Sequence, residues 1–342
     1  MKKFFLIFIA FFYLAVPVFA DDEKTDKEMQ AEFLKWVMDF KKTAKQQYKI
    51  SDKVLNEAFK DIQYKHNIVK LDRNQPEFIK TFWGYYDDAV HPLRVRRGKA
   101  KMKEHEKLLK RVEKKYNVPA SIIVAFWGME TDYGRNMGNS PIIEVLSILS
   151  FDHRRSKFFT AELVESLKIL QSGKMNLDNM KGSWAGAFGN FQFLPSTYAK
   201  YGVDCDGDKK VDIRNSLPDA FCSAGNYLSK MGWNGNYRWG RPVKFDKNNK
   251  KIWAKVNSKD WKELSYFSKL GITRMNGSKL PKTKIKAKLI APMGIDGPVF
   301  LVYKNFKYIM RWNNSTNYAL SVGLLSDAIT DNKIGKIEKN RK

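Results

Sequence analysis

Histidine and cysteine are scarce in this chain: four of the one and two of the other in 342 residues. His66, His91, His105 and His153 are scattered, and no Cys/His group has zinc spacing. Each histidine is therefore expected to be structural. Acidic residues are also in deficit, with 36 Asp and Glu against 62 Lys and Arg, a formal charge of +26. Such an excess favours anionic partners and speeds their encounter. Long apolar runs are missing beyond the N-terminus, so no later segment reads as membrane-spanning. There is no internal repeat.

What the N-terminus does contain points to export. Met1-Lys2-Lys3 precedes an apolar run from Phe4 to Val16, and Val18-Phe19-Ala20 closes it before Asp21-Asp22. A charged start, an apolar middle and a small-x-small site together predict a signal peptide over residues 1–20, with a mature start at Asp21. The run is shorter than the roughly 18–20 residues that span a bilayer. An uncleaved anchor is the weaker alternative. No cysteine follows the run, which excludes a lipid-modified N-terminal cysteine. An exported protein rarely meets nucleic acid. An anionic wall polymer or lipid surface suits the charge better, although part of the lysine content is compositional bias. In that oxidising setting Cys205 and Cys222 are expected to pair.

At 14% aromatic and 43% hydrophobic content the chain can bury a proper core. The patterning predicts a mainly α, α+β protein. Residues 21–115 read as an N-terminal helical region, with Met29, Phe33, Trp36, Val37 and Phe40 at helical spacing. Residues 116–235 read as a helical core. Residues 236–305, punctuated by Gly, Asn and Pro, read as a small β-rich insertion with runs such as Val299–Tyr303. Helix returns over 306–330, and 331–342 is a polar tail.

The most informative stretch is Phe126-Trp127-Gly128-Met129-Glu130-Thr131-Asp132-Tyr133-Gly134. Ile122, Ile123, Phe126 and Trp127 share a helical face with Glu130. Apolar surroundings disfavour the charged form of a carboxyl group. A proton-holding glutamate is what a glycosidic leaving oxygen needs from a general acid. The bland alternative is a solvated helix-end glutamate. Asp132, two residues on, points away if the helix continues. Glu144 and Asp152 are rivals without motif support. The segment Gly182–Pro195, with Gly186 and Gly189, argues for crowded backbone or positive φ.

Several segments taken in order resemble the membrane-bound lytic murein transglycosylase B family. They are Trp127–Thr131 with Gly134-Arg135, Leu149-Ser150-Phe151 with Arg154-Arg155, Lys181–Ala187, Gln192–Ser196, Asp204–Asp208, Asp219–Leu228 with Gly232-Trp233, and Arg311-Trp312-Asn313. The match covers about residues 30–330. It implies a lysozyme-like helical catalytic core, and cleavage of the β-1,4 MurNAc–GlcNAc bond without water to leave 1,6-anhydro-MurNAc ends. Mapped by motif, Glu130 is the catalytic acid and base. Arg154, Arg155, Ser183, Gln192 and Asn313 line the glycan groove. The expected setting is the periplasm and the partner peptidoglycan; the protein is expected to be a monomer without nucleic acid. The absent lipoprotein cysteine separates this chain from the type member. A hydrolytic muramidase and a catalytically silent wall-binding protein are the alternatives.

Asp204, Asp206, Asp208, Lys210 and Asp212 alternate as in the first nine positions of an EF-hand loop. They suggest a structural calcium ion, with Lys210 donating its carbonyl; catalysis itself needs no cofactor. Lys209 stands where that loop has its turn glycine, and Asn215 where it has its bidentate glutamate.

Overall fold

The computed structural model describes residues 25–73 and 80–331. The expected signal peptide and nearly all of the polar tail lie outside them.

The first helix, Asp26–Tyr48, begins where Thr25 and Glu28 cap each other. The Thr25 Oγ1 accepts from the Glu28 N–H at 3.3 Å, and Glu28 Oε2 accepts from the Thr25 N–H at 2.9 Å. Phe33, Val37, Phe40 and Ala44 form its buried face. The helices Asp52–Ala58, His66–Arg73, Phe82–Ala89, Pro92–Glu104 and Glu106–Tyr116 complete the N-terminal region. Two histidines serve as ordinary structure here. His91 caps the Pro92–Glu104 helix by accepting from the Arg94 N–H at 3.2 Å. His105 sits at the joint between two helices, its ring against Trp127 and Phe221, and burial lowers its pKa.

At the centre lies the helix Ala120–Thr131. Its sequence is apolar nearly all round, so it is buried on almost every side rather than along one face. Residues from Ile122 to Gly128 are all buried, and the helix reaches the surface only at Ser121 near its start and at Met129 and Glu130 near its end. The amphipathic face expected from spacing is thus too narrow a description. Around it pack Pro92–Glu104, Glu106–Tyr116, Leu217–Met231 and, most extensively, Thr316–Ile329. The pair Ile142–Phe151 and Ser156–Gln171 forms a second layer.

Between Trp233 and Lys304 the chain builds a five-stranded antiparallel sheet. Its order is Lys262–Glu263, Lys286–Ile290, Val299–Tyr303, Gly240–Lys244, Thr273–Arg274. The sheet has its own apolar cluster, including Ile252, Leu264, Phe267, Ile272, Leu289 and Leu301. Phe300 and Val302 join the main core instead. Successive residues of one strand point to opposite faces, so this strand fastens sheet to helices. The other fastening is polar. Arg238 donates two bonds to buried Asp327, at 2.8 and 2.7 Å, and the Trp239 Nε1–H donates a third at 3.2 Å. Burial pushes the Asp327 carboxyl up to about 6 against the pull of Arg238.

Candidate active site

Glu130 occupies the penultimate position of the Ala120–Thr131 helix and is half-buried. Its Oε1 accepts a hydrogen bond from the hydroxyl of Tyr318, which lies 188 residues further along the chain. Tyr318 belongs to the Thr316–Ile329 helix and is itself buried. Burial first, and the Glu130 carboxylate second, raise the Tyr318 hydroxyl well above its ordinary pKa, so it stays a donor.

The helix stops sharply after Thr131. Asp132 and Tyr133 are both left-handed, with φ of 49° and 64°, and Gly134 follows at 82°. Two side chains hold this unusual turn. The Thr131 hydroxyl accepts from the Gly134 N–H at 3.0 Å and donates to the Asn190 carbonyl at 2.9 Å. The buried Asn190 side chain accepts from the Trp127 Nε1–H at 2.9 Å and donates to the carbonyls of Ile213 and Arg214. Tyr133 donates to the Arg94 carbonyl at 2.8 Å. Asp132 does point away from Glu130, into a cluster with Arg97, Arg94 and Arg135. Glu144 is paired with Lys65, and Asp152 with Arg73. The next three carboxylates along the chain after Glu130 are therefore each held by cations.

The glycine-rich segment folds back on itself beside this turn. Phe188 and Phe193 exchange backbone hydrogen bonds at 2.9 and 3.0 Å. Gly186, at φ 81°, sits where a Cβ would lie 2.4 Å from Leu146 Cδ2, which explains why a side chain is missing there. Ser183 accepts from the Ala187 N–H at 3.2 Å, so its hydroxyl closes the turn. Gln192 adopts φ 48° and donates to the carbonyls of Met137 and Gly189. Both side chains are half-buried and can still face a ligand.

Asn313 ends the Lys304–Trp312 helix with extended backbone and is half-buried. Its neighbour Trp312 packs against Phe126 at a ring distance of 4.4 Å, and against Tyr227, Phe193 and Phe191. Phe126 lies one helical turn before Glu130 and also contacts Tyr318 at 6.3 Å. Trp312 therefore joins the return segment, the Ala120–Thr131 helix and the glycine-rich turn in one aromatic cluster.

Arg154 and Arg155 both reach the buried carboxylate of Asp72. Arg154 also donates to the Asp72 carbonyl at 2.6 Å, and the Arg155 guanidinium lies 4.8 Å over the Phe159 ring. The pair is thus tied to the His66–Arg73 helix rather than held loose for a ligand. Each arginine keeps a substantial exposed surface, at 44% and 39% of its side chain.

In the acidic loop the carboxylates that converge differ from the alternating set read from the sequence. Asp204, Asp206 and Asp219 each offer an oxygen within 4.8 Å of the other two. Asp208 and Asp212 are outside that group. Asp208 accepts from the Lys210 N–H at 2.8 Å, and Asp212 from the Arg214 and Asn215 N–H groups at 3.0 and 2.8 Å, so local turns use them. Asp219 escaped notice because it lies in the helix after the loop; its two oxygens also accept from the Cys205 and Asp212 N–H groups. Burial raises its pKa, and Asp206 adds to that. Lys209 does adopt the left-handed turn, at φ 67°, that the loop requires of its sixth residue. Three convergent carboxylates offer the oxygen donors that a hard divalent cation takes. Cys205 and Cys222 form a disulfide, with Cα atoms 6.2 Å apart, stapling the loop to the Leu217–Met231 helix.

Comparison with known proteins agrees on one kind of relative. The family described as the transglycosylase SLT domain matches residues 32–327. Membrane-bound lytic murein transglycosylase B of Escherichia coli is 32% identical over 246 residues, 72% of this chain and 66% of its own length. The chain thus spans just under two thirds of that relative. SltB3 of Pseudomonas aeruginosa, solved in complex with NAG-anhNAM-pentapeptide, superposes with a TM-score of 0.84 at 39% identity, covering 90% of this chain and 81% of that one. Slt35 of Escherichia coli, solved with calcium, gives a TM-score of 0.73 at 28% identity, covering 86% of this chain and 92% of that one.

Proposed function

The chain belongs to the transglycosylase SLT domain family, and on that premise we propose that it is a peptidoglycan lytic transglycosylase whose acid and base are both Glu130. The observation that carries this reading is a half-buried carboxylate at a helix end, held by a buried tyrosine, with the next three carboxylates along the chain paired with cations. Hydrolytic glycosidases ordinarily need two carboxylates, an acid and a nucleophile or base. A reaction that uses the substrate's own hydroxyl as nucleophile needs one.

In the first step Glu130 gives its proton to the oxygen that leaves with the GlcNAc side, and the muramoyl C1–O bond breaks. The muramoyl N-acetyl carbonyl assists at C1. Glu130, now ionised, takes the proton of the muramoyl C6 hydroxyl, whose oxygen closes on C1. The products are the shortened strand and a 1,6-anhydro-MurNAc end, and the glutamate is again protonated. Acid–base help of this kind contributes roughly 10²–10⁴ in rate; positioning must supply much of the rest.

Ser183, Gln192 and Asn313 are proposed to bind the glycan. The Ser183 and Gln192 side chains flank the glycine-rich turn, and Asn313 follows the Trp312 cluster. Arg154 and Arg155 present the exposed parts of their guanidinium groups to lactyl or peptide carboxylates. A calcium ion held by Asp204, Asp206 and Asp219 would brace the loop below this region without entering the chemistry. No helix among the described residues is long and apolar enough to cross a membrane. The setting proposed is the periplasm, reached by cleavage of the leader, with the protein as a monomer acting on glycan strands.

The test is a digest of purified sacculi followed by mass spectrometry. Anhydro ends, one water lighter than hydrolytic ends, support the reading; reducing MurNAc ends would replace it with a muramidase. Glu130→Gln should keep the fold and lose at least about 10² in lytic rate. Near-normal turnover in that folded variant would remove Glu130 from the mechanism.

A further inference from the structure

The first helix has two faces, and only one of them is used by the fold. Phe33, Val37, Phe40 and Ala44 are buried, yet Leu34 and Met38 are 41% and 58% exposed, and Tyr48 is 40% exposed. These are three of the chain's exposed large apolar side chains, and they fall on one element. At 3.6 residues per turn, Leu34, Met38, Lys41 and Lys45 lie within a stripe roughly 60° wide. Ala31, Lys35 and Lys42 border it on the solvent side, and Lys49 follows at the helix end. Of the helix's exposed acids, Glu28, Glu32 and Asp39 lie roughly 110–150° round from the middle of the stripe, and Asp26 in the first turn lies about 90° round on its other side. Apolar side chains are therefore interleaved with lysines on one line, and the helix's acids stand off it.

Some of these lysines have partners: Lys42 meets Asp39 at 3.2 Å, Lys45 meets Asp52 at 2.7 Å, and Lys41 donates to Asn56 at 2.9 Å. The first two pairs are well exposed, and exposed pairs exchange readily for stronger anions. Lysines on a polar flank with leucine and methionine beside them are the pattern of a helix that lies in the plane of a membrane surface. A carbohydrate polymer would satisfy the lysines but give nothing to Leu34 and Met38.

We propose that the outer face of the Asp26–Tyr48 helix docks the enzyme reversibly on an anionic phospholipid leaflet. Leu34 and Met38 enter the headgroup boundary, and Lys35, Lys41, Lys42 and Lys45 meet lipid phosphates. This surface is independent of Glu130 and its groove. It would hold the enzyme beside the bilayer.

The experiment is flotation of the chain from Asp21 onward with vesicles of phosphatidylglycerol and phosphatidylethanolamine, and with vesicles of phosphatidylcholine alone. Binding should be confined to the anionic vesicles and should fall as salt rises. Lys35→Gln with Lys42→Gln should weaken it by roughly fivefold per lysine. Leu34→Ala with Met38→Ala should weaken it at least about tenfold. A control that removes equal charge elsewhere, Lys269→Gln with Lys282→Gln, should change little. All variants should release muropeptides from isolated sacculi at the unaltered rate, which separates this proposal from the catalytic reading. Equal losses in the control pair, equal binding to phosphatidylcholine, or no effect of the apolar pair would overturn it. So would a loss of sacculus binding in the helix variants, since the partner would then be the wall.

Discussion

Replacing Tyr318 by Phe removes one oxygen from the candidate site and leaves the ring in place. The ring keeps its contact with Phe126. What disappears is the bond to Glu130. Hydrogen bonds to a charged partner contribute about 1.5–3 kcal/mol. If the bond holds Glu130 in the reactive pose, its loss corresponds to roughly 10- to 150-fold in rate. The cost to the fold is smaller. Glu130 is half-buried, so water can take the vacated place beside the carboxylate, which leaves a net cost of about 1 kcal/mol. For a chain of this size that is a fall in Tm of about 1–2 °C. Initial rates of muropeptide release from sacculi, measured with thermal unfolding on the same preparations, separate the two quantities. A wild-type rate in a folded Tyr318→Phe variant would refute the positioning argument. A melting temperature lowered by tens of degrees would show instead that the hydroxyl serves the core.

Three further outcomes follow from the geometry. Calcium should raise Tm and chelator should lower it, because an ion that binds only the folded loop stabilises it by mass action; Asp219→Asn should abolish that response. Arg154→Ala should destabilise as well as slow the enzyme, since it leaves buried Asp72 with one cation fewer, whereas removing Lys339 from the polar tail should do neither; equal effects at one ionic strength would reduce the arginine to generic charge. Asp327 has its folded pKa raised to about 6, so its contribution to stability is present at low pH and is lost as pH rises through about 6. Denaturant unfolding at pH 4 and pH 7.5 should show a smaller pH difference in Asp327→Asn, by up to about 3 kcal/mol.

The helical core and the glycine-rich turn of residues 182–195 are legible in the sequence because both depend on local chemistry. An unbroken apolar run from Ile122 to Trp127 has to be buried, and glycines at 186 and 189 announce left-handed backbone. The five-stranded sheet is legible for the same reason, in runs such as Val299–Tyr303. The side chains that complete the site are another matter. Tyr318 looks like one more aromatic on an apolar helix until it meets a carboxylate from far upstream. Asn190 sits in plain view between Gly189 and Phe191, but nothing local says that it bridges Trp127 to the carbonyls after Asp212. Asp72 lies in an ordinary polar helix and turns out to hold both arginines. Asp219 was hidden by its place after the loop, where alternation along the sequence no longer applies. Each of these is fixed by long-range closure, which periodicity and spacing do not report.

The separation of 188 positions between Glu130 and Tyr318 sets an order on biosynthesis. A chain that emerges N-terminus first completes the glutamate's helix long before the tyrosine exists. The β-sheet must be made and set aside before the Thr316–Ile329 helix can close over the Ala120–Thr131 helix. Any product that stops short of Tyr318, through early termination or a protease cut with release of the last helix, carries the acid without its donor. Under the reaction proposed above, incomplete copies would therefore lack the assembled site for cutting the wall.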